Sequence, residues 1–328
     1  MRKYVLKRIL ISIVILFFVS FIIYGLMRCL PTSYIERMAQ QKAMAPGSKS
    51  YEEWLAQLEE MYHMNGGIIS GFFAWMGEMF TGNFGDSWLY TVPVLQKFND
   101  TVWLSFIMGG IAFILEIIIA IPLGVLAATK QYSRTDYVIT AAALVGISLP
   151  TFFFATLLKL LFSVKLGWFD LVGLTGRDFN SLSQFGQILD MAKHLVLPIV
   201  TLVFISIGPW MRYVRTNMLE VLNADYIRTA RAKGVSSVKI LFKHALRNAI
   251  LPVVTYVGPM LAGLMTGSFV VEKIFSIPGL GRDFVSAITN RDYTMIMGTT
   301  ILLSSMVIVA NVIVDILYKI IDPRIKLQ

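Results

Sequence analysis

Six stretches of this chain read as bilayer-spanning helices. They run roughly from Ile9 to Met27, Val102 to Thr129, Tyr137 to Val164, His194 to Met218, Ile250 to Val271 and Thr294 to Ile321. About 20 apolar residues, rising ~1.5 Å each, cross ~30 Å of hydrocarbon. Only helices and closed barrels satisfy every backbone N–H and C=O there, and runs of this length exceed a barrel strand. Composition agrees. Of 328 residues, 15% are charged and 56% hydrophobic, against about 25% charged in a soluble domain, and the mean hydropathy is +0.68. No water-surrounded core hides that much apolar surface. The single cysteine, Cys29, excludes a disulfide scaffold. The fold class is therefore all-α, a polytopic membrane protein with six transmembrane helices.

Lys and Arg set the orientation, because basic loops stay on the cytoplasmic side. Arg2, Lys3, Lys7 and Arg8 precede the first span, Lys130 and Arg134 follow the second, and Lys319, Arg324 and Lys326 end the chain. The loop after the fourth span carries Arg212, Arg215, Arg228, Arg231, Lys233, Lys239, Lys243 and Arg247. These 17 fall on one side against ten on the other, so both termini are predicted to be cytoplasmic in a multi-pass plasma-membrane protein. The net charge of +9 reads as topology, not as a nucleic-acid footprint. The first span is expected to be retained as a helix, since it is too long for a signal peptide and no small-residue cleavage site follows.

Three parts follow: residues 1–30 with the first span, an external cap at 31–101, and a core of five spans at 102–328 containing a cytoplasmic loop at 219–250. In the cap, Trp54, Leu55, Leu58, Met61 and Tyr62 recur at helical spacing, and the Trp-rich stretch from Phe72 to Trp88 is placed at the lipid interface.

Catalytic readings fail. There is no Gly-x-x-x-x-Gly-Lys phosphate loop, and His63, His194 and His244 lack ligand spacing. No catalytic residue and no metal site is assigned. The informative segment is the long cytoplasmic loop. Wound as one helix, it places Ile227, Ala230, Gly234, Val238, Leu241 and Ala245 within one arc and Arg228, Arg231, Lys239 and Lys243 opposite. A small-residue face backed by a basic stripe admits another protein's surface at Ala230 and Gly234. A helix lying on the membrane, its charges on lipid phosphates, fits the same pattern.

Within the spans, Glu116 is a carboxylate near mid-membrane, facing protein or water and serving either cargo or packing. Ser304, Asn311 and Asp315 share one face of the last span, as pathway lining or interhelical glue. Gly263 and Gly267 form a Gly-x-x-x-Gly packing pair, and Lys159 snorkels to the interface.

Tyr226-Ile227-Arg228-Thr229-Ala230-Arg231-Ala232-Lys233-Gly234 resembles the "EAA" loop of ABC-importer permeases, specifically the oligopeptide/dipeptide/nickel branch. In order along the chain, Gly82-Asn83-Phe84-Gly85-Asp86-Ser87, His244-Ala245-Leu246-Arg247-Asn248-Ala249-Ile250-Leu251-Pro252, Val271-Glu272-Lys273-Ile274-Phe275-Ser276-Ile277-Pro278-Gly279-Leu280-Gly281, Asn290-Arg291-Asp292-Tyr293 and Asp322-Pro323-Arg324 resemble it too. Three departures stand out: Arg228 occupies the place of a Glu in the general family pattern, the Leu-Pro pair of that pattern comes earlier than Leu251-Pro252 does here, and Leu30-Pro31-Thr32-Ser33 replaces a Pro-Gly-Asp-Pro.

The resemblance implies a type I ABC importer transmembrane domain. It implies a second homologous permease, two cytoplasmic ATPases that carry ATP and Mg, an external binding protein, and surrounding membrane lipid. Arg228, Thr229, Ala230, Arg231, Ala232, Lys233 and Gly234 would couple to the ATPases, and this chain would hold no cofactor. Peptide is the expected cargo, with nickel or another small solute as the alternative. A secondary transporter working without ATPases and a structural scaffold are the other classes open at this point.

Overall fold

Where nothing interrupts them, the apolar runs fold as single helices. The computed structural model describes residues 2–29, 34–61, 67–250, 252–253, 263–264 and 267–321. In chain order the first helices are α1 (Arg2–Arg28), α2 (Tyr34–Ala43), α3 (Tyr51–Met61) and α4 (Ile68–Phe80). A two-stranded hairpin, β1 (Asp86–Ser87) and β2 (Val92–Pro93), then leads into α5 (Val94–Thr129). Next come α6 (Arg134–Ser148), α7 (Thr151–Leu158) with its π-wound continuation Lys159–Lys165, α8 (Gln184–Leu222), α9 (Asp225–Ala232) and α10 (Ser237–Lys239) with a π-wound continuation Ile240–Leu246. Helices α11 (Phe269–Phe275), α12 (Leu280–Asn290) and α13 (Tyr293–Ile321) complete the described chain.

Four of these are long and apolar enough to cross a bilayer: Leu6–Arg28 of α1, all of α5, all of α8, and Tyr293–Val314 of α13. Helix α8 starts ahead of the expected His194 because Ser183 caps it, its hydroxyl accepting the Gly186 N–H at 3.2 Å.

The expected third span is not one helix. It bends by 104° between α6 and α7. The break falls at Leu149-Pro150, where Pro lacks an N–H and forces the preceding residue extended; Leu149 has φ −79° and ψ 128°. Counting the bent pair as one span gives five among the described residues. The expected fifth span, Ile250 to Val271, lies mostly outside them.

The chain divides into two units, residues 1–101 with 283–328, and residues 102–282. In the first, α1 packs against α4 and α13. Tyr24 stacks on Trp75 with ring centroids 5.5 Å apart, and Phe21 meets Phe72 edge-on at 5.2 Å. Phe72 and Trp75 thus turn to α1, and Phe73 and Phe80 are the ones left outward. Helix α3 forms as the spacing of Trp54, Leu55, Leu58 and Met61 predicts, Tyr62 lying outside the described residues, and it opens with a reciprocal capping box. Ser50 N–H donates to Glu53 Oε2 at 2.9 Å and Glu53 N–H to Ser50 Oγ at 3.3 Å. Where α12 turns into α13, the buried carboxylate of Asp292 accepts from Ser87 Oγ at 2.6 Å, Leu89 N at 3.2 Å and Met295 N at 3.0 Å. Burial pushes that carboxyl above its ordinary value, against the pull of those hydrogen bonds.

In the second unit, α8 packs on α6 and α7. Close approach is made by Gly146 and Gly208. A Cβ on Gly146 would stand 2.7 Å from Phe204 O, and one on Gly208 would stand 2.6 Å from Ala143 O. Small-residue packing is therefore seated between α6 and α8. Gly267, expected as half of a Gly-x-x-x-Gly helix pair, has φ +69° and lies ahead of α11, outside any helix. Phe113, Trp210, Met211, Val214 and Met218 form the core of this unit.

Candidate functional site

Helix α9 is set off from α8 by Asn223 and Ala224, the latter extended at φ −70° and ψ 148°. It is held by Ile227, 0% exposed and packed into the core with Met218, Ile240 and Ala245. It ends in a Schellman motif. Gly234 adopts φ +74°, its N–H donates to Arg231 O at 2.9 Å, and the Val235 N–H donates to Ala230 O at 3.2 Å.

This corrects the single-helix arc. Gly234 stops the helix, so Val238, Leu241 and Ala245 belong to a second segment. Ile227, Ala230, Val235, Leu241 and Ala245 pack on the chain's own core instead of facing outward. The face left free is polar. Arg228, Thr229, Arg231, Ala232, Lys233 and Gly234 are exposed. Of the seven residues named for coupling, Ala230 alone is half-buried.

Arg228 lies 3.4 Å from Asp225 across the first turn, both exposed, an arrangement of little energetic weight. Among the described residues Arg231, Lys233, Lys239 and Lys243 make no ion pair. A cavity of about 540 Å³ opens beside Arg231, lined also by Thr129, Leu219, Leu222, Asn223, Val238 and Leu241 among others. Tyr226 is also exposed, and its hydroxyl accepts from Asn248 Nδ2 at 3.1 Å, tying α9 to the segment after it.

A bidentate pair missed in the sequence braces α8 nearby. Arg215 Nε and one terminal nitrogen reach Asp136 Oδ1 and Oδ2 at 2.9 and 2.8 Å. Asp136 is buried and also accepts the Tyr132 N–H at 3.0 Å. Arg215 had registered only as a topological charge. The Asp-Tyr after the Ser133 cap was the available signal, but its partner lies 79 positions away.

Of the membrane candidates, Glu116 is 6% exposed and its carboxyl faces the side chains of Ser206 and Trp210 of α8. It borders a cavity of about 220 Å³ that Ser105, Ser206, Gly263 and Ser268 also line. Ser304 and Asn311 are half-buried on α13, in the other unit. The side chain of Asp315 lies outside the described residues. Lys159 does not snorkel: its Nζ donates to Ile274 O at 2.7 Å, at the end of α11.

The Val271-to-Gly281 motif holds a second missed group. Glu272 is fully buried and accepts from Ser105 Oγ at 2.8 Å, Ser268 N at 3.1 Å and Arg282 N at 2.9 Å. The Ser105 hydroxyl in turn accepts the Leu280 N–H at 2.8 Å. Glycines crowd this carboxyl because nothing larger fits. A Cβ on Gly267 would stand 2.6 Å from Oε1 and one on Gly279 2.5 Å from Oε2. His194, isolated in the sequence, sits between Asp170, 3.3 Å from Nε2, and the Asp190 carbonyl, 2.8 Å from Nδ1. Among the described residues no His, Cys, Asp or Glu group could hold a metal ion.

Residues 120–327 match the family described as "Binding-protein-dependent transport system inner membrane component". The oligopeptide transport system permease protein AppB of Bacillus subtilis is 39% identical over 99% of this chain and 100% of that protein. OppB of Haemophilus influenzae, also an oligopeptide transport system permease protein, is 36% identical over 99% and 100%. The dipeptide transport system permease protein DppB of Bacillus subtilis is 35% identical over 100% and 99%. A solved inward-facing MetNI methionine ABC transporter aligns at a TM-score of 0.49 and 18% identity, covering 68% of this chain and 96% of that one. With the family match and full-length relatives added to its apolar helices, this chain belongs to the inner-membrane components of binding-protein-dependent transport systems.

Proposed function

We propose that the chain is one permease subunit of an ATP-driven importer of oligopeptides or dipeptides. It forms half of the translocation pathway with a second, homologous permease. The observation that carries this reading is similarity along the whole chain: the peptide permeases AppB, OppB and DppB align with 99–100% of it. In this reading residues 102–328 form the pathway core, residues 31–101 form an external cap that receives cargo from a binding protein, and both termini lie in the cytoplasm.

Two cytoplasmic ATPases bind ATP and Mg and grip the exposed face from Arg228 to Gly234. The anchoring of Ile227 supports a lever role. A helix rooted in the same core as Trp210 and Met218 passes a push on its outer face to α8, and the spans alternate between inward and outward openings. The polar outer face suits a partner with acidic or hydrogen-bonding groups.

The test is reconstitution. The permease pair, purified with and without candidate ATPase subunits, is placed in liposomes with the binding protein and radiolabelled peptide. ATP-dependent uptake that needs all components is expected. Uptake with no ATPase present overturns the proposal.

A further inference from the structure

A carboxylate at mid-membrane is costly unless something compensates it. Glu116 is 6% exposed, and the polar side chains facing it, Ser206 and Trp210, are neutral. Among the described residues it has no Lys, Arg or His partner. Every other described residue lining the adjoining cavity is uncharged. That cavity, about 220 Å³, far exceeds the ~30 Å³ share of one water, and Ser206 and Ser268 add hydroxyls to its wall.

A single carboxylate among hydroxyls, with space before it, is a site for a small hard cation that donates several hydrogen bonds. It is a poor site for a transition metal, which takes imidazole or thiolate ligands. No metal-holding group exists among the described residues.

We propose that Glu116 and this cavity form a cargo subsite for the protonated α-amino group of a peptide in transit. This rests on the peptide-import reading above. The ordinary pKa of an α-amino group, about 7.7–8.0, leaves it mostly charged at neutral pH. Its three N–H donors match one carboxylate plus two hydroxyls. The site supplies in the membrane the counter-charge that a peptide terminus loses when it leaves water.

The experiment uses the complete complex in liposomes with one binding protein, and compares a free dipeptide with its N-acetylated form. Any preference of the binding protein is common to all permease variants. Glu116→Gln is expected to lower the ratio of free to acetylated import about tenfold, the low end for a charge-assisted bond, and Glu116→Asp to restore most of it. An unchanged ratio, or an equal fall for both peptides in an intact complex, overturns the subsite while leaving peptide import standing. A wild-type complex that imports neither peptide overturns the import reading itself. Should Glu116→Gln fail to assemble, the wild-type complex decides. A hydrophobic carbodiimide should label Glu116, read by mass spectrometry, and free dipeptide but not the acetylated form should protect it. Equal protection, or none, overturns the proposal.

Discussion

At Gly234 the proposed docking can be told apart from folding. Its φ of +74° lies in the left-handed region, where a residue with a Cβ costs about 1–2 kcal/mol and Asn rather less. A Cβ built there has no heavy atom within 4 Å, so substitution adds backbone strain and no clash within the chain. Gly234→Ala and Gly234→Arg carry the same strain, which weakens any interaction needing the capped end of α9 by at most about 5- to 30-fold. What Arg loses beyond Ala is then the partner's objection to a long side chain. The assay is titration of fluorescent ATPase subunits onto the permease pair in nanodiscs, with thermal melting of each variant as control. Gly234→Asn should bind within a few-fold of wild type, Ala should be weaker within the strain limit, and Arg should be at least a further tenfold weaker at equal melting temperature. If Arg binds as well as Ala, no partner sits over Gly234 and the coupling assignment there is wrong.

Ser105→Ala removes a donor to Glu272 and orphans the buried Leu280 N–H. It should destabilise by about 2 kcal/mol on melting in detergent, and Gly279→Ala, whose Cβ meets Glu272 at 2.5 Å, should cost more. Arg215→Ala strands the buried Asp136 carboxylate and should cost about 2–3 kcal/mol; Asp136→Asn added to it should recover part of that loss, and no recovery would refute the pairing. Glu53 is held below its ordinary pKa by hydrogen bonds from Ser50. Its contribution to α3 is therefore full above the unfolded carboxylate pKa and lost as pH falls through the lower folded value. Amide exchange of Tyr51–Met61 should quicken across that acidic window, and Glu53→Ala should quicken it at every pH.

Four of the expected spans and the helix Tyr51–Met61 were legible because each depends on local pattern: apolar length and helical spacing. What escaped depends on distant partners or on single backbone angles. Lys159 looked like a snorkelling lysine because nothing nearby announces that the Ile274 carbonyl waits 115 residues on. The arc drawn through Gly234 failed for a local reason that was readable: a glycine after Arg231-Ala232-Lys233 is a stop signal, and the face it seemed to extend is buried at Ile227. Pro150 carried a similar warning for the third span. Glu116 was visible as an isolated carboxylate, but its cavity comes from α5, α8 and Gly263, Leu264, Gly267 and Ser268 together.

The fracture at Leu149-Pro150 has a further meaning for neighbours. Pro150 is exposed on this isolated chain, and a sharp corner leaves carbonyls with no helical donor. Hydrocarbon supplies none, so unwound backbone at membrane depth survives only against protein or a water-filled space. That corner accordingly marks a flank from which acyl chains are kept out. In the proposed permease pair the second subunit or the wet conduit covers it, and spin labels placed at Ile147 and Thr151 should report low oxygen accessibility once that pair has formed.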